Sequence, residues 1–465
     1  MNPFDIDPAL IVQCSDSAFC AGAYPIVYTL IVIFVVLTGF AYTTLLERKL
    51  IAFFQQRVGP NRVGPFGLLQ PLADAIKLIF KEDITPAKAY KPVYFLAPVM
   101  KAVPVILVIA VIPLGPDILI PWFDGFYYQA PLAWIDVNVG VLWVLALTSI
   151  ATYGIVLAGW SSNNKYAMLG GLRASAQMIS YELSLGLAIA VPVMIVGSMS
   201  FGDIIDAQRN IWDWFVFQNP LAAGILIIAL FAEVSRAPFD LVEAEQELTA
   251  GFMTEYSGMK FALFMMAEYL GMIAVSMIAA AMFFGGYHLI PVDNMPLLGP
   301  LFFTIKVVLF LSFFIWVRAT LPRIRYDRLM AFGWKVLLPL SIVAVAWTAI
   351  AIVIGDAFQN TVAYGIASGV FFIVIVGGGY FFLSREGDSL DTEQVDDDWA
   401  DDPIVTGERR GIGWAALNLV GILVAIPIAI VQWHIEVFDR LRDAAGDPGT
   451  AIEPVETKPQ QSGGD

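Results

Sequence analysis

The stretch Ile26-Val-Tyr-Thr-Leu-Ile-Val-Ile-Phe-Val-Val-Leu-Thr-Gly-Phe-Ala-Tyr-Thr-Thr-Leu45 runs for 20 residues without a charge. As a helix it is about 30 Å long, the thickness of a bilayer's hydrocarbon core. Nine further apolar runs follow, at 93–112, 137–157, 174–196, 221–234, 261–284, 301–316, 336–354, 362–383 and 414–431. Several fall short of the length a bilayer needs, so their true ends are expected to extend into neighbouring polar residues. Only 67 of 465 residues are charged, while 33 are Phe and 12 are Trp, and the mean hydropathy is +0.73. These features exclude an ordinary soluble core and predict an all-α polytopic membrane protein with about ten transmembrane helices. No strand-like alternation is sustained.

Lys and Arg in the short loops predict the orientation. The segment 47–91 carries eight of them and 318–335 carries five, whereas 113–136 and 285–300 carry none. Odd-numbered helices should therefore exit on the cytoplasmic side, with both termini outside. No cleavable signal is apparent, because the first residues lack a basic region and carry Asp5 and Asp7. Cys14 and Cys20 precede the first run and so should face the exterior, where either a disulfide or two free thiols would be admissible. Two cysteines and two histidines, His288 and His434, cannot supply an iron–sulfur or haem site in any usual pattern, so no metal or cofactor is expected on this chain.

The net charge of −15 is concentrated late: 385–410 and 435–465 together contribute −11. The chain thus divides into an exterior segment 1–25, a core 26–354, an added helix 355–383, an acidic linker 384–411, another helix 412–433 and a polar tail 434–465. Neither acidic segment suits nucleic acid.

Two segments carry candidate chemistry. Gly67-Leu-Leu-Gln-Pro-Leu-Ala-Asp-Ala-Ile-Lys-Leu-Ile-Phe-Lys81 sets Leu68, Leu72, Ala75, Ile76 and Ile79 on one helical side and Gln70, Asp74, Lys77 and Lys81 on the other. It reads as an amphipathic helix at the cytoplasmic interface, with Pro71 in its first turn. Beside Arg57, such a face could admit an isoprenoid tail and meet the polar head of a quinone; a surface helix contacting lipid phosphates is the plainer reading. The second segment, Pro238-Phe-Asp-Leu-Val-Glu-Ala-Glu-Gln-Glu-Leu-Thr-Ala-Gly251, concentrates Asp240, Glu243, Glu245 and Glu247 just after an apolar run. In helix, Asp240, Glu243 and Glu247 would share a face. Clustered carboxylates near lipid mark a proton or ion path, although a wet acidic loop reads the same way. Glu182, Glu233 and Glu268, with Lys101 and Lys306, lie inside predicted spans, where structural salt bridges are the alternative to a path.

These two segments closely resemble the hallmark segments of the H subunit of NADH–quinone oxidoreductase, the family that includes mitochondrial NADH dehydrogenase subunit 1 of respiratory complex I. Glu47-Arg-Lys49, Gly59-Pro-Asn-Arg-Val-Gly-Pro65, Ser180-Tyr-Glu-Leu183, Ala267-Glu-Tyr269 and Arg318-Ala-Thr320 support the resemblance, which covers about residues 24–354. It implies a quinone chamber where the membrane arm meets the hydrophilic arm. Arg48, Arg57, Asp74, Lys77, Arg236 and Phe239 would line the chamber or its mouth. Glu182, Glu233, Asp240, Glu243, Glu245, Glu247, Glu255 and Glu268 would form a carboxylate path into the membrane. Quinone would be the substrate. Flavin and iron–sulfur clusters would sit on partner subunits, and antiporter-like membrane subunits and lipid would complete the contacts in an energy-transducing membrane such as the bacterial inner membrane. The nearest rival is the related membrane anchor of a proton-pumping nickel–iron hydrogenase or formate hydrogenlyase; more distant readings are a stand-alone transporter and a purely structural anchor. The segment from Thr361 onward departs from the common eight-helix pattern.

Overall fold

The computed structural model describes residues 11–14, 18–121, 126–135, 137–240, 251–289, 298–358 and 369–370. The main helices are α1 (Ala18–Phe54), α2 (Gln70–Ile79), α3 (Lys91–Val111), α4 (Gly140–Ser161), α5 (Lys165–Val196), α6 (Phe201–Asp206), α7 (Phe215–Gln218), α8 (Pro220–Glu233), α9 (Gly258–Phe283), α10 (Leu298–Thr320), α11 (Tyr326–Phe332) and α12 (Leu338–Phe358). A π turn at Gly333–Leu337 joins α11 to α12. Each of the first eight apolar runs becomes helix. Seven helical stretches among the described residues are long and apolar enough to cross a membrane, with α11 and α12 counting as one. The chain is an all-α polytopic membrane protein. Apart from 369–370, the ninth and tenth runs, the linker and the tail lie outside the described residues.

Local chemistry sets the helix starts. Pro occupies the first turn of α2, α3 and α8, where its missing N–H costs nothing. Asn164 caps α5 by accepting from the Tyr166 N–H, and Asn219 caps α8 by accepting from the Ala222 N–H at 3.0 Å. Asn219 also donates to Thr348 Oγ1 at 2.7 Å, which fastens the start of α8 to α12. At the α3–α4 crossing the helices nearly touch: a Cβ on Gly154 would lie 2.8 Å from the backbone nitrogen of Lys101. Small residues at such crossings let helices approach closely where lipid supplies no hydrophobic drive.

The expectation that short runs extend into polar neighbours holds for most spans and fails for α8. Its 14 residues reach only about 21 Å, short of a bilayer. After Glu233 the backbone turns: Ser235 takes φ 55°, and Ala237–Pro238 is cis. The turn stays inside the protein, with Ser235, Arg236, Phe239 and Asp240 all buried. Non-helical backbone is tolerated at such depth only when protein groups satisfy it. Here the fully buried Gln177 of α5 donates Nε2 to the carbonyls of Ala232 (3.0 Å) and Phe239 (2.9 Å). The Ile324 N–H donates to the Pro238 carbonyl at 3.0 Å. α8 is thus a broken helix whose end is held by α5 and by the segment after α10.

Three short strands, flagged by no alternation in the sequence, form a sheet in the order β1 (Ile11–Gln13), β3 (Tyr127–Ala130), β2 (Ile118–Pro121). β1 is parallel to β3, with Ile11 opposite Tyr127; β2 is antiparallel to β3, with Ile118 opposite Ala130. α1 begins earlier than its apolar run, so Cys20 lies within its first turn. A disulfide to Cys14 ties β1 to that helix.

Candidate functional site

The end of α8 collects charges from three distant parts of the chain. Arg236 Nε lies 2.6 Å from Glu268 Oε1 of α9, and its Nη1 lies 3.4 Å from Glu47 Oε1 of α1. Glu47 also pairs with Arg318 of α10. The Arg236 guanidinium sits 4.7 Å from the centre of the Tyr269 ring. The side chains of Arg236, Glu47 and Glu268 are 3%, 6% and 11% exposed. Charges so deep are tolerated only when paired. The neighbouring Asp240 pairs with Arg323 at 2.7 Å.

Glu268 faces a second compartment as well. Together with Glu233, Lys101 and Thr148 it lines a cavity of about 70 Å³, otherwise walled largely by apolar groups such as Val108, Ile155 and Phe264. That volume accommodates a few water molecules. Glu233 and Lys101 are deep in the bundle yet keep some accessible surface, because that surface faces the cavity. Among the described residues Lys101 makes no ion pair within 4 Å, and it shares the cavity lining with the two glutamates. On the far wall Thr148 Oγ1 donates to Glu182 Oε1 of α5 at 3.3 Å, and Ser149 Oγ donates to the same oxygen. Pair contacts and the shared lining thus connect Glu47, Arg236 and Glu268 to the cavity with Glu233 and Lys101, and Thr148 connects that cavity to Glu182.

The expected residues divide accordingly. Glu182, Glu233 and Glu268 come together, and Asp240 lies beside them in the turn that carries Arg236. Glu243, Glu245 and Glu247 lie outside the described residues. Glu255 is elsewhere: its carboxylate accepts from Asn164 Nδ2 at 2.7 Å and its carbonyl accepts from the Tyr94 hydroxyl at 2.5 Å, and it does not line the cavity. One residue after Glu47, near the C-terminal end of α1, Arg48 binds Asp74 at 2.6 Å and Lys77 lies 3.6 Å from the same carboxylate. α2 buries no residue, and its Leu72, Ile76 and Ile79 are exposed. Arg57 stands apart from that group, donating to Gln55 Oε1 at 2.7 Å. Phe239 is buried against Tyr181, ring centres 5.5 Å apart, and Arg236 is buried in its carboxylates; neither lines the cavity.

The two lysines that the sequence left undecided separate clearly. Lys306 directs all its donors to main-chain carbonyls of the loop after α9, at Phe284 (2.6 Å), Gly286 (2.9 Å) and His288 (2.7 Å), and packs 4.3 Å from the Trp214 ring centre. It is a fastener. Lys101 is the lysine of the cavity.

Sequence reading missed Glu47, Arg318 and Arg323 as site residues, together with Thr148, Ser149 and Gln177. Gln177 alone carried a usable signal: it is the one side-chain amide inside the run 174–196.

A family model described as NADH dehydrogenase matches residues 27–349. The chain belongs to that family. The first of the NADH-quinone oxidoreductase H subunits of Geobacter metallireducens is 51% identical over 319 residues, covering 68% of this chain and 93% of its own length. The H subunit of Dehalococcoides mccartyi is 47% identical over 353 residues, covering 75% of this chain and 94% of its own. The H subunit of Protochlamydia amoebophila is 49% identical over 312 residues, covering 67% and 92%. The connected groups that include Glu47, Arg236 and Glu182 therefore lie wholly within the part of the chain that the NADH dehydrogenase model matches, whereas the runs at 362–383 and 414–431 lie beyond it.

Proposed function

We propose that this chain is the membrane subunit of a proton-translocating NADH:quinone oxidoreductase that forms the quinone chamber at the junction with the hydrophilic arm and couples quinone reduction to proton movement. The observation that carries the reading is the set of ionisable side chains gathered on a cavity large enough for a few water molecules, with Arg236 paired to Glu268 on one side and Glu182 reached through Thr148 on the other. Buried unneutralised charge is costly, and structural ion pairs need no shared cavity. Glu233, which ends α8 and lines that cavity with Lys101, fits a proton-holding role better than a scaffolding one.

The Arg48–Asp74–Lys77 cluster and the uncovered apolar face of α2 supply the two chemistries a quinone needs, polar partners for a carbonyl and a greasy surface for a tail. α2 lies at the membrane interface on the cytoplasmic side, with the chamber's remaining wall contributed by iron–sulfur quinone-module subunits. Two-electron reduction of a quinone to a quinol takes up two protons. The two electrons would be supplied by an iron–sulfur centre held on a neighbouring subunit. The charge change at the Arg236 cluster is passed through Glu268 to the cavity and onward to antiporter-like membrane subunits. The broken end of α8 is the moving part, because only a non-helical segment can repack without breaking a run of helical hydrogen bonds. The setting is an energy-transducing membrane such as the bacterial inner membrane, with both termini outside.

The test is purification of the tagged chain in mild detergent, followed by assay of inhibitor-sensitive NADH:quinone reduction. Activity with flavin and iron–sulfur partners supports the reading. Hydrogen evolution with a nickel partner, or a redox-silent chain whose assembly survives extraction, overturns it.

A further inference from the structure

We propose that the hydroxyl of Thr148 relays the proton between the cavity and Glu182. The inference rests on the proton-path reading above and adds a step to it. Glu182 is not in the cavity wall; Thr148 is, and its Oγ1 touches Glu182 Oε1 at 3.3 Å. The same Oγ1 also lies 2.9 Å from the Leu145 carbonyl. A hydroxyl has one proton to donate and lone pairs with which to accept. Thr148 thus has two alternative acceptors about one rotor, the Leu145 carbonyl and the carboxylate. Its two lone pairs remain free to accept, and the relay requires that one of them accept from a water in the cavity that Thr148 lines.

The relay balances as a hop of one proton. A water in the cavity, protonated by Glu233 or Glu268, gives a proton to Thr148 Oγ1 as Thr148 releases its own to Glu182. One O–H bond forms and one breaks at the hydroxyl, which then rotates back toward Leu145. No electron moves. Ser149 has the same two acceptors, donating to Glu182 and to the Leu145 carbonyl at 3.0 Å, but does not line the cavity. It holds the carboxylate in place. Two adjacent hydroxyls on one carboxylate oxygen therefore divide the work, one positioning and one relaying.

The test uses the whole complex reconstituted in vesicles, measuring quinone reduction and proton translocation together for T148V, T148S, S149A and E233Q. Val matches Thr in shape without the hydroxyl, and Ser keeps the hydroxyl without the methyl. The expected result is a loss of at least about tenfold in coupled turnover for T148V, within the range of a missing proton-transfer group. T148S should stay within about twofold of the parent, and T148V should show a changed solvent isotope effect and pH profile. Wild-type coupling in T148V alongside an impaired E233Q would overturn the relay while leaving the path intact. Wild-type coupling in both would overturn the path itself. Equal losses in S149A and T148V would reduce Thr148 to a positioning residue and overturn the relay. If T148V fails to assemble, T148S decides: a loss of coupling in an assembled T148S complex contradicts a hydroxyl relay, and retention with an unchanged isotope effect supports it.

Discussion

Arg236 is the residue on which the buried charges depend. It contacts Glu268 at 2.6 Å and Glu47 at 3.4 Å in surroundings that leave it 3% exposed. Replacing it with Ala leaves two carboxylates facing one another with one partner gone, at a cost of about 3–5 kcal/mol. The expected outcome for Arg236→Ala is loss of assembled complex, read from its yield after mild extraction. Arg236→Lys should retain more, because it keeps the charge but gives up the fork that meets two carboxylates. Of these contacts the sequence showed the residue types and not the pairings. Glu47 and Arg236 are 189 positions apart, and Glu47 and Arg318 are 271 apart. Helical periodicity reports neighbours three or four residues away and is silent on partners that only tertiary packing brings together.

Among the elements, the loop after α9 and the cavity wall on α3 use their buried lysines differently. Lys306 pins the loop through three carbonyls. Lys306→Met removes all three bonds, each carbonyl left unsatisfied costing about 1–3 kcal/mol. Thermal stability of the complex should fall, while protons moved per quinone reduced by the assembled fraction stay unchanged. Lys101→Met should do the reverse, lowering coupled turnover with little loss of assembly, because it faces a cavity rather than a set of carbonyls. Measuring both quantities on both variants checks the assignment. Near the same loop the carboxyl of Asp206 is held below its ordinary range, chiefly by the hydrogen bond with His288, 3.5 Å away. A depressed carboxylate contributes stability that is present above its unfolded value, about 4, and is lost as pH falls through the folded one. Half exposure keeps the effect small. Asp206→Asn should flatten the acid-side fall in melting temperature, measured with buffers below about pH 5.

The same scale explains what the sequence could and could not tell about the helices. The run at 221–234 has the composition of a span and ends within a residue of the helix; hydropathy does not reveal that the helix gains no length from its polar neighbours. The stop comes from Ser235 in the left-handed region and from Gln177 capturing two carbonyls across the bundle. Pro238 was the one local hint.

For the molecule as a whole, the seven long apolar stretches among the described residues follow from bilayer thickness and run length, and no tertiary detail is needed to find them. The site is legible in part for the same reason: a Glu inside an apolar run stands out because lipid makes it expensive. The cavity does not stand out, since Val108, Ile155 and Phe264 in its wall are ordinary core residues. Glu255, grouped with the path by resemblance, accepts from Asn164 at the cap of α5 and does not line the cavity. Glu255→Gln should keep coupling close to that of the parent and lower stability modestly, since a neutral amide can still accept from Asn164; vesicle coupling assays and thermal melts of the same preparation distinguish the two effects.

The central claim is that protons pass through the cavity bounded by Glu233, Glu268 and Lys101. It is tested most directly by reconstituting the complex carrying Glu233→Gln in sealed vesicles and measuring protons translocated per quinone reduced. The account predicts assembled complex with coupled turnover lowered by at least about tenfold, the scale of a lost proton-transfer group. A variant that assembles, reduces quinone and translocates protons at the parent ratio would contradict it.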